Sequence, residues 1–178
     1  MRKLKLQELN RLSPEAFKAS DKTPIVLVLD NIRSGLNVGA AFRTADGFAI
    51  EKIYLCGITA QPPHREILKT AIGANESMEW EYIKETKNIV EQLKGEGYYI
   101  AAVEQAEDST SLQDFALPMD AKVALIFGNE VKGVDVEVMN LINECIEVPQ
   151  FGTKHSFNIS VCMGIVLWEV FRKWKYGA

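Results

Sequence analysis

The sequence predicts an α/β protein: an open, mostly parallel sheet with helices on both faces. Three observations predict it. Continuous apolar runs at residues 25–29 and 123–127 have the composition of strands buried on both faces. Strand-like and helix-like segments alternate along the chain, the pattern of strands joined by helical crossovers. Three Gly/Asn/Ser-rich segments, residues 31–47, 127–135 and 149–160, each follow an apolar run. Loops leaving the carboxyl ends of parallel strands converge on one sheet edge, where ligands bind. The three segments therefore describe one composite pocket.

Taken in order, residues 1–23 form a basic helical extension, either two short helices or one broken one, with a helix start at Ser13-Pro14-Glu15. Thr23-Pro24 ends it, and residues 25–29 are the first strand. Residues 36–48 read as a helix whose apolar side is Val38, Ala41, Phe42 and Ala45. A strand at 52–56, a turn-rich stretch at 57–65 and a short helix at 66–72 ended by Gly73 follow. Next come a strand at 80–83, a helix at 88–94 stopped by Gly95, and a strand at 98–103. Residues 112–115 are a short helical or turn piece, 123–127 a buried strand, 134–142 a helix and 145–148 the last strand. The closing helix, about 158–175, carries an apolar stripe at Val161, Ile165, Trp168 and Phe171.

Composition narrows the class. The 178 residues suffice for a single self-supporting core, and 47% hydrophobic with 25% charged content is ordinary for a globular enzyme. No apolar run reaches membrane-spanning length, and the first residues lack a signal-peptide core. Cys56, Cys145 and Cys162 lie far apart with no CxxC spacing, which fits buried thiols in a reducing cytoplasm and no metal site. Only His64 and His155 are present, which disfavours a His-based metal cluster or hydrolytic triad. Net charge is −4, yet residues 1–22 hold six basic against three acidic side chains, while residues 79–120 hold ten carboxylates against three lysines. A basic face on an acidic body is one reading of that asymmetry, and solvated helix faces the other.

Each pocket segment has a plain and a sharp interpretation. Gly35 to Gly39 is a structural turn or a phosphate-cradling loop, but it fits neither GxGxxG nor a P-loop, which disfavours a dinucleotide oxidoreductase. Arg43 either pairs with Asp46 or Glu51 on the helix surface or serves the pocket. Glu130, between Gly128 and Gly133, either caps the helix near Val134 or binds a partner arginine. Gly128 and Gly133 supply positive φ or close approach. Ser156 or Asn158 is the N-cap of the last helix, whose free N–H groups can meet an anion. His155 beside Ser156 is no nucleophile pair, since adjacent side chains rarely face each other.

Together the segments resemble the SpoU (TrmH-type) RNA ribose 2′-O-methyltransferases of the SPOUT superfamily. The family's Asn-x-Gly-x-x-x-Arg-Thr matches Asn37 through Thr44, and its Gly-x-Glu-x-x-Gly matches Gly128 through Gly133. Its Pro-loop-Ser-Leu-Asn-x-Ser matches Pro149 and Ser156 through Ser160, with Phe157 where Leu is usual. A weaker similarity spans Pro62-Pro63-His64 and Lys69 to Ala74. The resemblance covers residues 24–175 in consistent order and identifies residues 24–178 as the methyltransferase domain.

What the resemblance implies goes beyond spacing. It implies a deep C-terminal trefoil knot, an exception to unknotted connections. S-adenosylmethionine would be held in bent form, largely by backbone, around Val103, Glu104, Phe127, Gly128, Asn129, Gly133, Ile146, Val148, Pro149, Ser156, Phe157 and Asn158. The family works as a homodimer in which Arg43 completes a site near the partner's cofactor. Arg43, Asn37, Glu130 and Asn158 would be catalytic: Arg43 acts at the 2′-OH, Asn37 orients the arginine or ribose, Glu130 holds Arg43 or the loop, and Asn158 with Ser156 fixes the cofactor end. The RNA substrate, tRNA or rRNA, would meet Arg33, Arg65, Lys132, Lys154 and the N-terminal extension. The competing reading is a catalytically idle RNA-binding or assembly factor, which would not need Arg43, Glu130 and Asn158 together.

Overall fold

The computed structural model describes residues 1–118 and 120–177. A 3₁₀ turn at Leu6–Leu9 and helix α1 (Pro14–Ala19) open the chain, α1 being capped by the Ser13 hydroxyl. Two short helices is thus the outcome for the extension.

Among the described residues, seven strands form one sheet in the order β3-β2-β1-β6-β4-β7-β5, every pairing parallel. They are β1 (Thr23–Asp30), β2 (Ile50–Cys56), β3 (Trp80–Ile83), β4 (Tyr99–Val103), β5 (Thr110–Ser111), β6 (Val123–Phe127) and β7 (Glu144–Glu147). Strand side chains alternate between faces, so β1 feeds two cores. Leu27 and Leu29 pack with Phe42, Ile53, Leu125 and Leu167 on one side. Val26 and Val28 pack with Val90, Leu93, Ile126 and Val138 on the other. The first core is closed by α2 (Gly35–Gly47), α3 (Arg65–Ala71), α4 (Ala74–Ser77) and α7 (Ile159–Tyr176), the second by α5 (Thr86–Gly95) and α6 (Val136–Met139). Both faces are covered, as the continuous apolar strands require. Among the described residues no helix is long and apolar enough to cross a membrane.

The element order expected from the sequence is present, with four differences. Strand β5 and helix α4 are too short to leave a periodic signal. Helix α5 continues through Gly95, and the left-handed residue that ends the segment is Gly97, φ +84°. The helix expected over 134–142 shrinks to α6: Asp135 caps it by accepting from Glu137 N, which sets its start at Val136, and it ends at Met139 with Asn140 as its C-cap. The stripe expected to bury α7 is the wrong face: Met163, Val166, Leu167 and Val170 are buried, whereas Val161, Ile165 and Trp168 are exposed. Phe171 is half-buried against Phe48, ring centroids 5.2 Å apart.

Register positions the site. Leu29 pairs with Phe127, Phe127 with Val103, and Val103 with Ile146. The carboxyl ends of β1, β6, β4 and β7 are thus level, and their following loops leave from one edge.

Candidate functional site

A cavity of about 480 Å³ opens at that edge. Val103, Phe127 and Ile146 at the strand ends, with Val148, Phe157 and Ile159, give it apolar walls. Glu104, Glu130 and Glu147 add carboxylates, and Asn129, Ser156 and Asn158 add neutral polar groups. The size falls within the roughly 300–1,000 Å³ of small-molecule sites.

The loop after β6 is a tight turn. Asn129 and Gly133 exchange backbone hydrogen bonds of 3.0 and 2.9 Å, and Asn129 Oδ1 accepts from the N–H groups of Val131 and Lys132. Its glycines are required by contact. A Cβ on Gly128 would sit 2.2 Å from the backbone of Gly133 and Val134, and one on Gly133, at φ +71°, would sit 2.2 Å from Glu104 Oε2. Glu104 itself accepts from Val134 N at 3.1 Å, tying the end of β4 to the end of this turn.

This turn is fastened to the loop between β1 and α2. Asn129 Nδ2 donates to Asn31 O at 2.7 Å. Glu130 accepts from Arg33 N at 2.8 Å, Ser34 N at 3.2 Å and Asn37 Nδ2 at 3.0 Å. Glu130 therefore does not cap the following helix; Asp135 does that, and Glu130 reaches back to the amino end of α2, whose own N-cap is Ser34. Partial burial would raise the Glu130 carboxyl, but the N–H groups of Arg33 and Ser34 and the Asn37 amide outweigh it and hold its pKa below the ordinary 4.5. The third segment joins through Asn158, whose Nδ2 donates to Asn37 Oδ1 at 3.3 Å while its Oδ1 caps α7 by accepting from Ser160 N at 3.0 Å. Of the two N-cap candidates, Asn158 is the cap.

Beneath these loops lies Asp30, a buried carboxylate at the end of β1. It accepts from Asn31 Nδ2 at 2.8 Å, from the Thr86 hydroxyl and from Asp135 N at 2.9 Å. Thr59, also buried, accepts from Ile32 N and donates to Leu29 O. The loop from residue 150 to 157 is exposed over residues 151–157 and latched by Gln105, whose Nε2 donates to His155 O at 2.9 Å. Burial, then the nearby Glu104, pushes the Cys162 thiol up to about 11; burial likewise raises Cys145. Neither is a nucleophile at neutral pH.

Of the residues expected to surround a ligand, Val103, Glu104, Phe127, Gly128, Asn129, Gly133, Ile146, Val148, Ser156, Phe157 and Asn158 all line the cavity, and Pro149 is not among them. Glu130, Asn37 and Asn158 form one hydrogen-bonded chain at its rim. Arg43 is apart from it: exposed, outside the cavity lining, and with no hydrogen-bond or ion-pair partner among the described residues. The pairing with Asp46 or Glu51 is not formed; Asp46 accepts from Ser77 and Glu51 from Tyr98. Nor does Glu130 hold Arg43. Arg33, Arg65, Lys132 and Lys154 are all exposed. Gln105, Val131, Glu147, Gln150, His155, Ile159 and Cys162 line the cavity without having been singled out for it. Asp30 and Thr59 were missed as well; a carboxylate ending a fully apolar strand was the available signal for Asp30.

A parallel α/β protein with a small-molecule cavity formed by three loops at the carboxyl edge is the class these features define. Residues 24–168 match the model of the SpoU rRNA Methylase family, and the chain belongs to that family. It is 31% identical over 161 residues to a Staphylococcus saprophyticus protein provisionally described as a TrmH family tRNA/rRNA methyltransferase, covering 89% of this chain and 63% of the relative. A tRNA (guanosine(18)-2'-O)-methyltransferase of Borreliella burgdorferi is 26% identical over 149 residues, covering 84% of this chain and 66% of that one. An AdoMet-bound rRNA methyltransferase structure from Sinorhizobium meliloti superposes with a TM-score of 0.78 at 25% identity, covering 92% of this chain and 61% of that one. This chain spans less than two thirds of the length of each.

Proposed function

We propose that this chain transfers a methyl group from S-adenosylmethionine to a ribose 2′-OH of structured RNA, a tRNA or rRNA, and that it does so as a homodimer with a knotted C-terminal third. The observation that carries the reading is the chain Glu130–Asn37–Asn158, which draws all three motif segments to the rim of one cavity. The S. meliloti relative is described as binding AdoMet, and this cavity suits that ligand. Its apolar walls accept a planar adenine, and Glu104, Glu130 and Glu147 suit the ammonium and sulfonium charges. When bound, the cofactor supplies an electrophilic methyl group.

The chain's own residues then have to position and activate the hydroxyl. Deprotonating a hydroxyl of pKa about 13 at neutral pH spans roughly 6 units, about 8 kcal/mol. Arg43 is therefore assigned to grip the adjacent phosphate and stabilise the developing alkoxide with its charged fork, while that phosphate or water takes the proton. Six residues of helix separate Arg43 from Asn37, about 9 Å along α2, which favours action on the cavity of a second protomer. The exposed face of α7, Val161, Ile165 and Trp168, supplies an apolar contact for that protomer, and α2 packs beside α7. Asn37 is held by Glu130 and Asn158 so that its side chain is fixed before substrate arrives. The sheet order β6-β4-β7 sends the chain from one side of β4 to the other, consistent with a knot. Arg33, Arg65, Lys132 and Lys154 are assigned to RNA phosphates.

The test is mapping of 2′-O-methyl groups in total RNA from cells with and without the gene, followed by transfer of labelled methyl to the RNA that lost one. No lost methyl, and no transfer by the purified chain, would sink the proposal.

A further inference from the structure

We infer that Phe151 is a stacking platform for an unpaired base of the RNA, set at the mouth of the cavity. This rests on the methyltransferase reading above and narrows its substrate to a nucleotide outside continuous duplex.

Phe151 is 97% exposed. A ring so placed contributes nothing to the core, and its neighbour Gln150 lines the cavity. The loop bearing it is fastened at its far end by Gln105 to His155 O, and both Gln150 and His155 line the cavity, which places Phe151 on a loop that borders the opening. Two further apolar side chains flank that opening, Val131 at 74% and Phe157 at 40% exposure, and both line the cavity. Interleaved with them are Arg33, Lys132 and Lys154, exposed and without ion-pair partners among the described residues. Aromatic rings among unpaired cations are the chemistry of single-stranded nucleic acid: the rings take base faces and the cations take phosphates.

A second copy of the chain is a poorer occupant of the ring itself. The partner assigned above to this cavity brings Arg43, a further cation, to a mouth already flanked by Arg33, Lys132 and Lys154, and so strengthens its attraction for phosphate. The apolar face suited to a second copy is on α7. RNA has the complementary charge, on a chain whose net charge is otherwise −4. Geometry adds a reason. A duplex presents its 2′-OH groups in a shallow groove between two strands, whereas an unpaired nucleotide offers the ribose alone, and its unstacked base then needs a partner to replace lost stacking.

The experiment compares a labelled unstructured RNA strand of about 12 nucleotides, within the site sizes of single-strand binders, with the blunt duplex of the same sequence, by fluorescence anisotropy. The wild-type chain should prefer the single strand. Phe151→Ala should weaken single-strand binding about tenfold, leave duplex binding within about twofold, and erase the preference. Phe151→Trp should keep it, and Phe151→Leu, which retains apolar area without a π face, should fall close to Phe151→Ala. S-adenosylmethionine affinity by calorimetry and sedimentation behaviour should not move. The assignment is overturned if Phe151→Ala weakens both RNAs equally, changes cofactor affinity, alters the oligomeric state or leaves single-strand binding intact. A wild-type chain that shows no preference for the single strand overturns the stacking assignment alone; one that binds neither RNA and transfers no methyl to total RNA overturns the methyltransferase reading as well.

Discussion

Asn158 and Asn37, 121 residues apart in sequence, share a 3.3 Å hydrogen bond from Nδ2 to Oδ1. The same Asn158 side chain caps α7 with its other atom. The two jobs separate by substitution. Asn158→Asp keeps an acceptor for Ser160 N and suits a helix amino terminus, but removes the amide that donates to Asn37. It should unfold in urea within about 0.5 kcal/mol of the parent chain, yet lose turnover at least about tenfold through the misplaced Asn37. Asn158→Ala should lose both, with about 1 kcal/mol of stability gone with the cap. Full turnover by Asn158→Asp would show that the contact with Asn37 has no part in the reaction.

Glu130 gives a pH signature with a definite sign. Its carboxyl is held below the ordinary 4.5 in the folded chain by the hydrogen bonds from Arg33, Ser34 and Asn37. A depressed folded pKa means stability that is fully present above the ordinary value and is lost as pH falls through the lowered one. Glu130→Gln, which keeps the shape but not the charge, should cost about 1 kcal/mol at pH 7. That deficit should shrink to nothing on acidification below the Glu130 pKa. Urea unfolding at a series of pH values between neutrality and the acid limit of folding measures it. A deficit equal at every pH would mean the charge is irrelevant to the loop.

The legible part of this fold was the part fixed by long apolar runs. Residues 25–29 and 123–127 are buried on both faces, and no other element type suits them in so few residues. The three motif loops could be gathered at one edge because a parallel sheet sends all its carboxyl ends the same way. What failed was whatever depended on which neighbour a group found. Helix α7 is apolar nearly all round, so periodicity offered two faces, and α2 rather than the sequence pattern decides which is buried. Read from its neighbours, Glu130 was a cap or an arginine partner; it instead holds the loop, one of the two roles the resemblance implied, through partners 93 to 97 residues upstream. Asp30 drew no expectation at all, and it is the buried acceptor on which Asn31, Thr86 and Asp135 converge.

The glycines of the turn after β6 should differ sharply from one in the exposed loop. Gly128→Ala drives a Cβ into backbone, which cannot move aside as a flexible side chain would. It should cost about 1–3 kcal/mol and abolish binding of S-adenosylmethionine measured by calorimetry, since the cavity floor shifts with it. A Cβ added to Gly152 would meet nothing within 4 Å, so Gly152→Ala should unfold within about 0.5 kcal/mol of the parent. Equal stability of the two variants would refute the packing argument.

Arg43 is exposed and makes no side-chain hydrogen bond or ion pair among the described residues, so its loss should be silent until substrate is present. Arg43→Ala should leave thermal unfolding and cofactor affinity unchanged while lowering turnover roughly 10²–10³-fold, as loss of a charge-stabilising donor does. Arg43→Lys should recover only part, because the ammonium lacks the bidentate fork. If the arginine serves the partner's cavity, chains carrying Arg43→Ala and chains carrying Glu130→Ala, each inactive alone, should regain turnover when unfolded and refolded together. Absence of any recovery, with mixed dimers demonstrated, would place Arg43 in its own chain's site.

The exposed face of α7 decides whether that partner exists. Ile165 and Trp168 are 36% and 49% exposed, one turn apart on the same face as Val161, while the buried face of the helix is carried by Met163, Val166, Leu167 and Val170. Ile165→Asp therefore places a carboxylate on the outer face without touching the core. In an isolated protomer it should cost less than about 0.5 kcal/mol, whereas in a dimer contact it would bury an unpaired charge from each copy. Sedimentation should show the parent chain as a dimer and Ile165→Asp as a folded monomer, with S-adenosylmethionine binding retained and methyl transfer lost. A parent chain that sediments as a monomer at micromolar concentration would remove the route by which Arg43 reaches a second cavity. An Ile165→Asp chain that stays dimeric would move the contact to another surface.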